Sequence, residues 1–328
     1  MIINNQNVAL QDINNYAAVP VHGIASIEKK SDLYEKLGLD FEVESVNLGE
    51  ATGNNKFSRF YGLQNSKTRD IYGVVGRKYT PIQNSELIDA FDEVRQMYGG
   101  TYDSAGVLNK GSRIWVQAQL PKKYSFTMPG RPDDLINSAI TLLIGHDGIV
   151  SNCLFPNSKR VTCNNQFVSL MKSSTRSLRI QHFSNYEQRI VTVQALFKQN
   201  MDRLQSMHQS FAQLDSQSIS KAELEKFLNT LYPKKKEDER VEKIHEEIAQ
   251  LFKNGAGNRG KTRWDAFNAV TEYVDHHINT TRLANAIERG NHEYIQNRVG
   301  SISVPGGQLD RVKRRAFSIL NSGVFVEA

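Results

Sequence analysis

The sequence has only two cysteines, Cys153 and Cys163, ten positions apart and with no CxxC pair. That rules out a zinc ribbon for want of ligands, and two free thiols in a reducing compartment is the default reading. No run of 18 apolar residues occurs, so no membrane-spanning helix is expected. Residues 1–6 lack a basic stretch leading into an apolar one, so a secretory leader is not expected and a cytoplasmic location is. The phosphate-loop pattern GxxxxGKS/T is missing, as are GxSxG and HExxH, and Gly73 and Gly76 do not continue into a dinucleotide fingerprint. With no catalytic motif, the chain reads as a protein that is not an enzyme and needs no cofactor.

Acidic residues are missing from two long windows. From Ser104 to Pro132 there is no Asp or Glu, while Lys110, Arg113, Lys122, Lys123 and Arg131 supply five positive charges. From Gly148 to Tyr186 there is again none, and Lys159, Arg160, Lys172, Arg176 and Arg179 are present.

The chain has 328 residues, 39% of them hydrophobic, with 15 Phe and 12 Tyr, enough for a sizeable core. The net charge of +6 is unevenly spread. Residues 1–50 carry 3 basic and 8 acidic side chains, residues 51–186 carry 17 and 9, and residues 187–328 carry 21 and 18. Three regions follow: an N-terminal arm or peripheral segment (1–50), a basic β-rich α+β domain (51–186) and a helical region (187–328).

Residues 1–30 are rich in Asn and Gln and show no period, and residues 41–48 alternate as an edge strand or a loop. Residues 60–63 and 71–75 flank a polar run, the signature of a hairpin, and Pro81 closes the second strand. Asn84 or Ser85 caps a helix carrying Leu87, Ile88, Phe91 and Val94, which ends at Gly99 and Gly100. Residues 101–108 and 113–120 read as strands, with Ile114, Val116 and Ala118 facing one way and Trp115, Gln117 and Gln119 the other. A further hairpin pairs 139–144 with 149–155 around His146, Asp147 and Gly148, and a short helix is expected over 166–171. After residue 186 the period becomes helical. Stretches 186–214, 220–231 (opened by the capping box Ser220 to Glu223), 240–252, a helix capped by Thr262, and 309–320 are expected, with a solvated charge run at 234–239. The predicted fold class is α+β: a β-rich mixed or antiparallel sheet domain with a packed helix, then a mainly helical C-terminal half.

If the strands share a sheet, Lys110, Arg113, Lys122, Lys123, Lys159, Arg160, Arg176 and Arg179 can follow a phosphate backbone, with Phe60, Tyr61 or Trp115 offered to bases. A third run, from Lys56 to Tyr61 and on through Lys67 and Arg69, interleaves cations with aromatics. The plainer reading is ordinary surface lysines and arginines on hairpins. His146 and Asp147 sit in a Gly-flanked turn, which favours a structural role over a catalytic pair. Asp133 and Asp134 read as a cap, Glu272 and His276 have a permissible metal spacing that is common in helices, and Trp264, Phe267, Val270 and Val274 read as core.

Several segments form a recognisable set: residues 72–84 (Tyr72 to Asn84), 105–108, 111–116, 145–148 (Gly145, His146, Asp147, Gly148), 160–165 and 264–276. Their order over about residues 55–325 resembles a family of phage- and plasmid-borne proteins catalogued as a domain of unknown function. The resemblance implies a mobile genetic element in a bacterial cytoplasm and no established activity. The element order is also similar to that of phage single-strand annealing recombinases, which implies a basic groove, assembly into homo-oligomers and strand binding without ATP. Three functions are therefore expected in competition. The first is binding of nucleic acid, preferably single-stranded DNA, in recombination or replication. The second is a protein-interaction, scaffold or counter-defence module using the helical half. The third is a metal-dependent nuclease built on Asp133, Asp134 and Asp147.

Overall fold

The computed structural model describes residues 24–160, 179–233, 239–278 and 308–325, with residues 282, 285, 286, 289, 291 and 294. Residues 1–23, the expected helix over 166–171, Cys163, Lys172, Arg176 and most of the charge run at 234–239 lie outside them.

The period-two patterns become antiparallel strands. Among the described residues β1 (Ile24–Ser26), β5 (Thr101–Leu108), β6 (Arg113–Gln119), β8 (Leu135–Gly145), β9 (Asn152–Arg160) and β10 (Arg179–Ile180) pair in that order, with β7 (Phe126–Thr127) beside the start of β8. A second sheet orders β2 (Val43–Asn47), β3 (Phe60–Asn65) and β4 (Ile71–Gly76). From residue 24 onward, the stretch expected to be peripheral thus supplies one strand to each sheet. Both pair at long range, Ile24 with Gly106 and Val43 with Asn65; the alternation at 41–48 announces β2 as an edge strand, whereas no local pattern announces β1. Strands β8 and β9 also run longer than their sequence suggests. Pro156 reads as a terminator, yet it pairs with Ile140 in a part of β9 that has no second neighbour among the described residues, where its missing N–H costs no ladder bond.

On the larger sheet, Ile114, Val116, Ala118, Ile140, Leu142 and Ile144 form an apolar face. The helix α3 (Asn84–Met97) lays Leu87, Ile88, Phe91 and Val94 on it; α1 (Ser31–Glu35) and α2 (Leu48–Thr52) are short turns before it. At its N-terminus Glu86 accepts the Gln83 N–H at 2.8 Å, and the Gln83 amide in turn bonds both backbone groups of Val43, which occupies the edge strand β2. Helix α4 (Tyr186–Ser216) buries Val193, Phe197, Met201, Leu204 and Phe211 at 3.6-residue spacing. It packs against β9 and β10 on one side and against α7 (Arg263–Glu272) and α8 (Gln308–Ser322) on the other. Helices α5 (Lys221–Leu231) and α6 (Glu239–Asn254) lie between α4 and α7 in the chain. Capping boxes at Ser220 and Thr262 open α5 and α7. Trp264, Phe267, Val270 and Val274 are fully buried, as their spacing implied.

Arg131 is drawn out of the expected basic surface. Its guanidinium is 3% exposed and bonds Asp265 at 2.8 Å, Thr262 at 3.2 Å, the Gly257 carbonyl at 3.1 Å and both oxygens of Asp215. Burial alone would raise the Asp265 carboxyl; the bonds from Arg131 and from the N–H groups of Lys261 and Thr262 hold it below the usual range. The loop before β8 is thereby tied to the helices.

Candidate nucleic-acid interface

Three of the sequence motifs, from separate parts of the chain, meet where the two sheets join. His146 is completely buried and its Nε2 lies 2.8 Å from Asn84 Oδ1. The Asn84 Nδ2 donates to the carbonyls of Leu39 and Phe41, so Oδ1 must accept and Nε2 carries the ring proton. Burial first, and the nearby His182 second, push the His146 pKa down to about 3. Rings of Phe41 and Tyr72 enclose it, with centroids 6.1 and 6.4 Å away, and His182 stacks on Tyr79 at 4.4 Å. Asp147 turns the other way and takes the Arg113 Nε at 2.6 Å. His146 and Asp147 thus serve different partners, which is the structural reading of the pair.

The carboxylates needed for a nuclease centre are spread out. Asp134 precedes β8 and accepts the indole N–H of Trp264 at 3.1 Å. Asp147 follows the other end of that 11-residue strand, about 30 Å away at roughly 3.3 Å per residue. Glu272 accepts the Ala256 N–H at 3.1 Å. Among the described residues no group of three His, Cys, Asp or Glu side chains is arranged to hold a metal ion. The version built on Asp133, Asp134 and Asp147 is therefore withdrawn.

The expected phosphate contacts fall at two ends of the larger sheet rather than along one groove. Lys122 and Lys123 are exposed in the turn after β6, and Lys159 is half-buried near the end of β9, which Arg160 closes opposite Ile136. At the other end lie Lys110, which faces Asp70 at 3.4 Å, Arg113 on Asp147, and the exposed Arg179. Strand register places Arg113, Trp115, Lys159 and Arg179 on the face turned away from α3. The centre of that face is closed: Leu143, Cys153, Phe155 and Asn157 are buried. Burial pushes the Cys153 thiol up to about 11, the opposite of a reactive cysteine. Trp115 lies flat on Gly106, where a Cβ would come within 2.5 Å of its Nε1, so its ring is committed to the sheet.

The smaller sheet is different. Its inner face buries Val43, Leu63 and Asn65, and Tyr61 on that face is half-buried against Val75. Its outer side carries Phe60, Ile71 and Val74 at 43%, 49% and 57% exposure, with Phe57 just before it at 45%. At the turn end of the β3–β4 hairpin each cation is neutralised, Lys67 by Asp40 at 2.5 Å and Arg69 by Glu44 at 3.1 Å. The other end has Lys56, Arg59, Arg77 and Lys78, all exposed, and none of the four has a carboxylate partner among the described residues. Phe60 and Gly76 are the last paired residues there, so Arg59 and Arg77 leave the ladder on adjacent strands.

The family model described as a domain of unknown function, DUF932, matches residues 71–298. The chain belongs to the DUF932 family. Comparison with curated proteins found no match, and comparison with solved structures found none either. The DUF932 span begins at the first residue of β4 and takes in the junction, most of the larger sheet and helices α3 to α7. Phe57, Arg59 and Phe60 lie just before the DUF932 span, and Arg77 and Lys78 lie within it. Sequence reasoning had offered Phe60 and Tyr61 but not Phe57, Arg77 or Lys78 as site residues. The hairpin register, which sets Gly76 opposite Phe60, is the signal that joins them.

Proposed function

We propose that this DUF932 protein binds nucleic acid, single strands in preference, and acts without ATP in recombination or replication of a phage or plasmid. The observation that carries this reading is the group of unneutralised cations, Lys56, Arg59, Arg77 and Lys78, at the open end of the smaller sheet beside exposed aromatic rings. Four cations on one rim, none with a carboxylate partner among the described residues, suit a polyanion, because each phosphate they neutralise releases condensed counterions. Neighbouring rings suit bases, whose π-faces stack on them whatever the sequence. Lys122, Lys123 and Lys159 extend the cationic surface at the far end of the larger sheet.

Fluorescence anisotropy with a labelled single-stranded oligonucleotide, titrated across a salt series, tests the reading. Affinity should fall linearly in log–log form by about 0.7 per phosphate contact. Changing Lys56, Arg59, Arg77 and Lys78 to Gln should flatten that slope by roughly 3. No binding at low salt overturns the proposal.

A second reading, a scaffold or counter-defence module working through the helices, draws on one feature. A pocket of about 420 Å³ opens between α5, α6 and α8, floored by Leu231, Tyr232, Val241 and Val312 and rimmed by Arg311 and Arg315. Recovery of a defined protein from infected cells, undiminished by nuclease, supports it.

A further inference from the structure

We infer that the outer surface of the smaller sheet is a base-stacking platform selective for unpaired strands, with Phe57 and Phe60 as its stacking groups. The inference rests on the nucleic-acid reading above and assigns its strand preference to two named rings.

The rings are presented, not left over. Phe57 ends the 3-10 turn Asn55–Phe57, whose first N–H groups are capped by Asn54, with Lys56 N–H donating to its Oδ1 at 3.0 Å. Asn47, at the end of β2, fixes the same segment from outside it. Its Nδ2 donates to the Ser58 carbonyl at 3.1 Å while its Oδ1 accepts the N–H groups of Gly49 and Glu50. Gly49 lies so close that a Cβ there would fall 2.7 Å from Ser58 Cα. A segment held this firmly loses little freedom when a ligand binds, which is where affinity is usually forfeited.

Room beside Phe60 is also built in. Its cross-strand partner is Gly76, which is exposed and has nothing within 4 Å of the position its Cβ would take. In most antiparallel pairs a side chain at that position covers the neighbouring ring. Here the flank of Phe60 is open over a flat stretch of backbone, with Arg59 and Arg77 at its margin.

These features select among occupants. A second copy of this chain meeting the surface across a two-fold axis would set the same four cations against themselves, and Glu50, the exposed acid of the adjoining α2, could answer only one of the four on each copy. A nucleic-acid strand supplies the opposite charge. In a duplex the base faces are stacked on one another and closed to protein rings, so only unpaired bases can use Phe57 and Phe60.

The experiment compares three ligands on the full chain: a single strand, its duplex, and an abasic strand of equal length. Phe57→Ala/Phe60→Ala should weaken single-strand binding about 100-fold, taking roughly tenfold per stacked ring. Its salt slope should stay that of the wild type, and its duplex affinity should change less than about threefold on the same account. Wild type should hold the abasic strand no better than the double variant holds the normal one. Phe60→Trp keeps a ring and should keep the affinity, with its indole emission quenched on binding, which guards against misreading an unfolded variant. Unchanged single-strand affinity in the double variant, or equal binding of abasic and normal strands, overturns the platform while salt-dependent binding by wild type leaves the broader reading standing. Loss of all wild-type binding ends both, and a dimer that dissociates on Phe60→Ala reassigns the surface to self-association.

Discussion

Asp147 holds the Arg113 guanidinium at 2.6 Å with one carboxylate oxygen and accepts the N–H groups of Ile149 and Val150, each at 2.8 Å, with the other. One side chain therefore shapes the β8–β9 turn and anchors the start of β6. Asp147→Ala should cost about 2–4 kcal/mol in urea unfolding, since it frees two turn amides and leaves a half-buried cation unpaired. Arg113→Ala should also lower stability, yet leave the salt dependence of nucleic-acid binding as in wild type. A reduced slope for that variant would return Arg113 to the interface.

Gly73 sets how closely the two sheets approach. A Cβ there would lie 2.2 Å from the backbone oxygen of Asp147, a contact no rotamer can relieve. Gly73→Ala should lower stability by about 1–3 kcal/mol, the usual cost of overpacking. Gly76→Ala, which meets open space, should not, and paired thermal melts separate the two.

The strand meander was legible because its signals are local. Strands β5, β6, β8 and β9 each carry a local signal, and Asp147 with Gly148 supplies turn chemistry between neighbours, whereas the two-residue β7 carries none. Charge was not legible in the same way. The window that holds Arg113 and Arg131 is free of acid only along the chain: Asp147 reaches Arg113 from 34 residues away, and Asp215 reaches Arg131 from 84. Lys56, Arg59, Arg77 and Lys78 sit outside both windows, yet none of them has a carboxylate partner among the described residues, so a window count passes over them. Phe57 lies in the run from Lys56 to Tyr61 that interleaves cations with aromatics, but the run does not say which of its rings stand exposed; the exposure of Phe57 follows from how Asn47 and Gly49 hold the segment.

Stability should fall on mild acidification. Burial depresses His146 to about 3 and His208, which shares a 2.8 Å hydrogen bond with Ser158, to about 4. In the unfolded chain both titrate near 6.5. Below that pH the unfolded state binds protons that the folded state refuses, so the stability present above about 6.5 declines as pH falls toward the folded values, by up to roughly 1.4 kcal/mol per unit for each histidine. Urea midpoints measured at pH 7.5 and 5 should differ accordingly, and His208→Gln should shrink the difference. A flat profile would show that both rings accept protons within the fold.

Arg131 offers the largest single loss. Removing it strands Asp265, which is wholly buried, together with the nearly buried Asp215. Arg131→Met should cost about 3–5 kcal/mol, as expected when one partner of a buried ion pair is lost. Changing Asp265 to Asn in the same chain should recover part of it, a coupling that a double-mutant cycle reads directly. Simple addition of the two losses would show that the pair does not act as a unit.

The length and placement of α4 bear on how the chain is made. This 31-residue helix is the wall against which β9 and β10 pack, and its sequence begins only after the strands are complete. During synthesis at roughly 5–20 residues per second, the strands leave the ribosome seconds before the helix that covers them. For that interval Leu154 and Ile180 lack the helix that later buries them, so this part of the sheet cannot finish folding until α4 has emerged.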